Sequence, residues 1–299
     1  MGGALPVFLC RVSALLPLLS AGNENIVTAT ASGNRGESGA RLWVGTSGWS
    51  YATWRGTVYP TTLPPRRYLE CYAQQFATTE INASFYHLPQ PKTCQRWAEQ
   101  VPPDFIFAVK APRLLTHTQR LQDGEEPWRR FVQSVRTLGT HLGPILLQFP
   151  PSLQREDDRL ADFLHMAHDA AADLRLVCEF RHESWFTAEI YQLLERYEVA
   201  LCLADSGLYP RKGLRTTDFL YCRLHGRGEL FASAYSAREL TSLARQLRRY
   251  LAAGVDVYVY FNNTMRGHAV DNARRLEALL QPYTVRRQPP EEGNNAPTR

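Results

Sequence analysis

A chain of 299 residues with 44% hydrophobic and 21% charged residues has the make-up of a soluble globular protein, with apolar side chains enough for one large core or two smaller ones. Its formal charge of +5, from 34 basic against 29 acidic residues, is too mild to demand a nucleic acid or an acidic membrane as partner. The six cysteines, at 10, 71, 94, 178, 202 and 222, form no CxxC pair; this excludes a zinc knuckle, argues against a secreted disulfide framework and places the chain in a reducing cytoplasm.

Residues 1–40 differ from the rest of the chain. ALPVFLCRVSALLPLLSAG is apolar but is interrupted by Arg11, and it is too short and broken to span a membrane. Residues 12–21 have the length of a signal-peptide core, whereas the downstream cysteines suit core thiols. Residues 22–40 are rich in Asn, Thr, Ser and Gly without periodicity, so 1–40 is predicted to be a disordered extension, either signal-like or the product of a start codon set too far upstream. The folded domain is predicted over 41–283, and the Pro-, Arg- and Asn-rich residues 284–299 form a disordered tail.

Within that domain eight short apolar runs read as strands: LWVGTS, TTEINAS, FIFAVKA, GPILLQF, LRLVCEF, VALCLAD, FLYCRLH and VDVYVYFNN. Segments with helical spacing of apolar residues alternate with them, among them PRRYLECYAQQFA, DDRLADFLHMAHDAA and ARELTSLARQLRRYLAAG. Between strands six and seven, residues 206–218 are too short and too rich in Gly, Pro and Thr for a full helix. Strand–helix alternation predicts a parallel sheet covered by helices, and eight units in about 240 residues fit a single (β/α)8 TIM-type barrel. The rival, an open doubly wound sheet, would carry a GxGxxG turn, which VGTSGWSYATW lacks.

Alternate strand residues face opposite ways, so the strictly apolar set should face the helices and the other set the barrel interior. With Ile81, Val109, Leu147, Cys178, Phe180, Cys222, Leu224 and Val259 outward, the inward set contains Glu80, Asn82, Lys110, Gln148, Glu179, Arg181, Tyr221, Arg223, His225, Tyr258, Tyr260 and Asn262. Asp205 fits either face, because both parities of LCLAD give a reasonable strand. The polar members lie near the C-terminal ends of their strands, the rim where barrel active sites are built. Buried ions persist only when they pair with one another or hold a ligand, so the cluster is either a polar pocket or a closed ion-pair network capping the barrel.

The segments GTSGWSYATWRGTVYP, TTEINASFYHLPQPKTCQRWAEQVPPDFIFAVKAPRLLTH, LGPILLQFPPSL, CEFRHESW, YCRLHG and DVYVYFNN, in that order, resemble the YecE-like family, also called domain of unknown function family 72. The resemblance covers about residues 42–281 and implies a single (β/α)8 barrel. Thr264 departs from it, standing where the family commonly has Asp.

The residue types suggest an enzyme, with Glu80, Glu179, His225 and Lys110 as catalytic candidates. Two carboxylates in unlike surroundings can divide acid and base duties, as glycoside or sugar-isomerising chemistry requires. Lys110, Arg113, Arg181 and Arg223 suit a carboxylate or phosphate, and Asn82, Gln148, Tyr260, Asn262 and Trp49 complete the set of ligand-binding candidates. The expected partner is a polar, sugar-like or anionic small molecule; a nucleic-acid-binding or nucleic-acid-processing protein and a non-catalytic ligand-binding protein are the alternatives. No cofactor is evident. A divalent metal on Glu80, Glu179, Asp205, His182 and His225 is the less favoured option, because the basic residues there repel a cation. Trp49, Tyr51, Trp54, Phe85, Tyr86 and Trp185 follow their strands closely, either to stack on a ligand or to pack the loops.

Overall fold

The computed structural model describes residues 39–285. Nine parallel strands alternate with helices: β1 Leu42–Thr46, β2 Thr78–Ile81, β3 Ile106–Lys110, β4 Leu142–Gln148, β5 Leu176–Glu179, β6 Ala200–Leu201, β7 Leu203–Ser206, β8 Phe219–Gly226 and β9 Asp256–Phe261. The helices are α1 Tyr68–Ala73, α2 Ala83–Tyr86, α3 Pro91–Glu99, α4 Glu125–Val135, α5 Asp157–Ala170, α6 Ala188–Arg196, α7 Ala237–Ala252 and α8 His268–Leu279. Local chemistry fixes where α7 starts: Ser236 accepts from the Glu239 amide while the Glu239 carboxylate caps Ser236, a capping box. Residues 207–218 form no helix, as their composition predicts.

The predicted sixth strand is split in two at Cys202. β6 pairs with β5 and β7 pairs with β8, so this one stretch hands the chain from the sheet β2-β3-β4-β5-β6 to the sheet β1-β9-β8-β7. The other junction lies between β1 and β2. There Ser47 and Glu80 form an isolated parallel bridge, and the Thr79 hydroxyl donates to the Thr46 carbonyl at 3.0 Å. Gly45 makes that approach possible, because a Cβ there would stand 2.2 Å from the Thr78 carbonyl oxygen. The arrangement is a (β/α)8 barrel of TIM type with its seams at these two places.

Two apolar cores follow from strand alternation. Ile81, Val109, Leu147, Cys178, Cys222, Leu224 and Val259 belong to the large core between sheet and helices, on the predicted outward parity. Trp43, Ala108, Leu146, Val177, Cys202, Tyr221, Tyr258 and Tyr260 fill the barrel interior. Trp43 and Tyr258 stack at 4.5 Å, and Tyr221 and Tyr260 lie 5.1 Å apart. The barrel is therefore plugged by aromatic rings below its C-terminal rim. At the last described residues, the Val285 amide donates to the Leu42 carbonyl at 3.3 Å. The expectations for residues 1–38 and 286–299 lie outside the described residues.

Candidate functional site

Above the aromatic plug, the ends of β2, β5 and β8 bring Glu80, Glu179 and Arg223 together, each at most 1% exposed. The Arg223 guanidinium spans the two acids, with Nη2 donating to Glu80 Oε1 at 2.8 Å and Nη1 to Glu179 Oε2 at 2.6 Å. Ser47 and Tyr221 also donate to Glu80, at 2.9 and 2.6 Å, and Arg181 Nε donates to Glu179 Oε1 at 2.9 Å. Burial by itself would raise both carboxyl pKa values. The Arg223 charge, joined by Tyr221 and Ser47 at Glu80 and by Arg181 and His225 at Glu179, outweighs it and holds both below the usual carboxylate range. Both acids are thus ionised at neutral pH. A single shared cation and tight hydrogen bonds favour the charged form of each.

Lys110 contrasts with this closed trio. It leaves the end of β3 on the same inward face, yet among the described residues its Nζ makes no hydrogen bond or ion pair; it sits 3.7 Å from the centre of the Phe85 ring. The short helix α2 places that ring, and the Ser84 hydroxyl fixes the lysine backbone by donating to the Lys110 carbonyl at 2.6 Å. Burial, then the charge of Arg223, lowers the amine pKa to about 7, against the opposing pull of Glu179 and Glu80. The side chain keeps 9% exposure, so water reaches it more readily than the trio beneath.

Two histidines flank the cluster. His225 is buried, its Nδ1 accepts from the Asn262 amide at 3.0 Å, and its Nε2 lies 3.5 Å from Glu179 Oε1. With Nδ1 accepting from Asn262, the proton of the neutral ring is on Nε2. Burial lowers its pKa despite the neighbouring Glu179, so the ring is neutral. His117 meets the Phe85 ring edge-on at 4.9 Å, and burial followed by the charges of Lys110 and Arg181 lowers its pKa to about 4.

Of the other candidates, Gln148 is buried on the inward face but donates to the Phe149 carbonyl at 2.6 Å. Arg181 stacks over Tyr209 at 4.4 Å, at the open side of the cluster. Arg113 is exposed and acts on this region only through its charge on His117. Tyr260 lies a layer below the rim, its hydroxyl 2.7 Å from Thr78 Oγ1. Trp49 packs on the outer side of the sheet against Trp97 and Phe107, at 5.4 and 6.2 Å, because its loop turns back over α3; with Asn82 it lines a neighbouring cavity of about 750 Å³.

Asp205 takes the outward parity with Leu203 and is held by Arg227 at 2.9 Å and Arg211 at 3.4 Å, while His182 caps the turn at Glu183–Trp185 through Ser184. Neither meets Glu80 or Glu179, and no three metal-binding side chains converge among the described residues. Thr264 is buried and hydrogen-bonds Tyr51, whose hydroxyl donates to the Ser47 carbonyl. Ser47, Tyr51, Phe85 and Tyr209 join the site although strand parity does not select them. The first three lie within five residues of the C-terminal ends of β1 and β2, a signal that was legible; Tyr209 lies in an irregular loop with no period to read. Cys178 and Cys222 are buried core thiols with raised pKa values, caused first by burial.

Among the described residues no helix is long and apolar enough to cross a membrane. Comparison with known proteins gives a consistent picture. The UPF0759 protein YunF of Bacillus subtilis is 26% identical over 271 residues, covering 80% of this chain and 94% of that protein. The UPF0759 protein YecE of Escherichia coli K12 is 27% identical over 156 residues, covering 52% of this chain and 54% of that protein. A DUF72 family protein from Thermotoga maritima superposes with a TM-score of 0.72 at 30% identity, covering 81% of this chain and 99% of its own. Another, from Enterococcus faecalis, superposes with a TM-score of 0.70 at 20% identity, covering 80% and 95%. Residues 43–295 match the family described as "Protein of unknown function DUF72", and with the barrel and its charged rim already in view, the chain belongs to that family.

Proposed function

We propose that this chain is an enzyme that moves protons on a small, polar, anionic substrate at the C-terminal rim of the barrel, with Lys110 as the proton carrier. One observation supports this reading above the rest: an amine stands over the Phe85 ring without a carboxylate partner, beside a cluster in which every acid is already paired. A general acid or base works best with a pKa near the working pH, and an amine lowered to about 7 meets that requirement. Glu80, Glu179 and Arg223 then form a fixed charged floor that sets the amine's pKa. Arg181, partly exposed on the open side, serves a substrate carboxylate or phosphate, and His225, held by Asn262, offers an Nε2–H donor beside Glu179.

The test is a substrate screen of sugars, sugar phosphates and hydroxy or oxo acids, followed by Lys110→Met. Loss of turnover by about 10²- to 10⁴-fold in a folded variant is the expected result, the range by which one general acid or base contributes. Turnover unchanged in Lys110→Met removes the assignment. Tight binding of a screened compound without any conversion would favour the non-catalytic reading instead. Binding of single-stranded nucleic acid, falling steeply with added salt, would favour the nucleic-acid reading.

A further inference from the structure

We infer that Lys110 Nζ is a nucleophile that condenses with the carbonyl group of a small aldehyde or ketone bearing a carboxylate or phosphate, forming an imine at the end of β3. The inference rests on the proton-carrier reading of Lys110 and names the substrate class of that site. Among the basic groups of the inward cluster, this amine is left without a carboxylate partner: Arg223 holds Glu80 and Glu179, and Arg181 holds Glu179. It lies over the face of the Phe85 ring with only 9% of the residue exposed, a setting that leaves little room for the hydration an ammonium depends on. The acids below it are already engaged, since every carboxylate oxygen accepts at least one hydrogen bond.

The step balances without any oxidant or reductant. The Nζ lone pair forms a bond to the carbonyl carbon while the C=O π electrons move to oxygen, which takes up a proton. Nitrogen loses a proton, and the oxygen then leaves as water as its second hydrogen arrives, so the two hydrogens of the neutral amine end in that water. The reverse addition of water releases the product. Arg181, at the open side of the cluster, fits the anionic end of such a substrate. Glu179 and Glu80 balance the positive charge of a protonated imine, as they already favour the charged amine.

The composition makes the test clean, because only three of the 34 basic residues are lysine: Lys92, Lys110 and Lys212. Lys92 and Lys212 are exposed, and Lys212 is ion-paired to Glu183. The full chain is incubated at pH 7 with pyruvate in one arm and dihydroxyacetone phosphate in the other. Sodium borohydride is then added, and the sites of reductive alkylation are read by peptide mass mapping. The expected result is adduct at Lys110 in at least one arm, exceeding that at Lys92 and Lys212 on the order of tenfold or more, since an ordinary lysine is almost wholly protonated at that pH. The arm that reacts distinguishes an oxo acid from a sugar-phosphate-like substrate. Adduct absent at Lys110 in both arms, or equal at all three lysines, overturns the proposal. A parallel acetylation with acetic anhydride, which needs a free amine but no condensation, separates the two failures. Lys110 acetylated near pH 7 but never trapped would sink the imine and leave the proton-carrier reading standing, whereas Lys110 unreactive to both reagents would sink both.

Discussion

Glu179 and Asp205 end neighbouring strands, both are buried and both hold arginines, yet they belong to different worlds. Glu179 points into the barrel, above rings that seal it from below, and its main partner Arg223 is 1% exposed. Asp205 points out between sheet and helices, and its partners Arg227 and Arg211 are 35% and 32% exposed. One residue of strand parity separates a dry ion cluster from a watered one. In the dry cluster every charge must be compensated by another, so a group left over, Lys110, has its pKa lowered; in the other cluster the two arginines are each about a third exposed.

The largest expected way to break this contrast is Arg223→Met. It strands two buried carboxylates, and unfolding free energy should fall by about 3–5 kcal/mol, as for other buried pairs that lose one partner. For a domain of this size that lowers Tm on the order of 10 °C. A Tm within about 2 °C of the parent would mean the cluster is wetter than its geometry implies.

The pH dependence sharpens the same point. Glu80 and Glu179 have folded pKa values below those of the unfolded chain, so their stabilisation is complete above the unfolded glutamate pKa of about 4.3 and is lost as pH falls through the lower folded values. In Arg223→Met the sign should reverse. With the Arg223 charge gone, burial should outweigh the remaining Tyr221, Ser47, Arg181 and His225 contacts, so that the folded pKa values rise and stability declines as pH increases. Urea titrations of both proteins between about pH 3 and 8, on either side of the unfolded glutamate pKa, compare the two slopes directly.

Lys110→Met has an effect of opposite sign to that of Arg223→Met. The folded amine, at about 7, binds a proton less readily than the unfolded one, so parent stability rises with pH from about 7 towards the unfolded value near 10.4. Removing the amine abolishes that slope and should raise Tm at pH 7 or below on the order of 10 °C. A lower Tm in the variant at pH 6 contradicts the unpaired state of the amine. The smallest effect belongs to the outer cluster. Asp205→Asn should cost on the order of 1–3 kcal/mol, because the lost charge is buried while its arginine partners are about a third exposed.

Much of the fold and the site was legible in the residues. Alternation alone assigned Ile81, Val109, Cys178 and Cys222 to the outer core and Glu80, Lys110, Glu179, Arg223 and His225 to the interior, because each of those strands has one strictly apolar face. It was silent at LCLAD, where both faces are apolar, and that is the stretch that passes from one sheet to the other. Alternation also cannot tell depth. Tyr260 and Asn262 share a face, but the first is a plug residue beneath the rim and the second reaches His225 above it. Nor can it tell who pairs with whom. That Arg223 takes both acids and leaves Lys110 over a ring depends on side-chain reach across strands far apart in sequence, and on Phe85, placed by a one-turn helix too short to show a period.

The most direct measurement is the pH dependence of acetylation at Lys110, read by peptide mass mapping at short reaction times between about pH 5 and 11, a range that brackets both the lowered and the ordinary lysine pKa. Half-maximal reactivity is expected near pH 7, moving lower in a folded Glu179→Gln variant, because Glu179 pulls the amine's pKa upward. A curve rising only around pH 10.4, as for an ordinary lysine, would show the amine to be charged and compensated like its neighbours, and the central claim would fall.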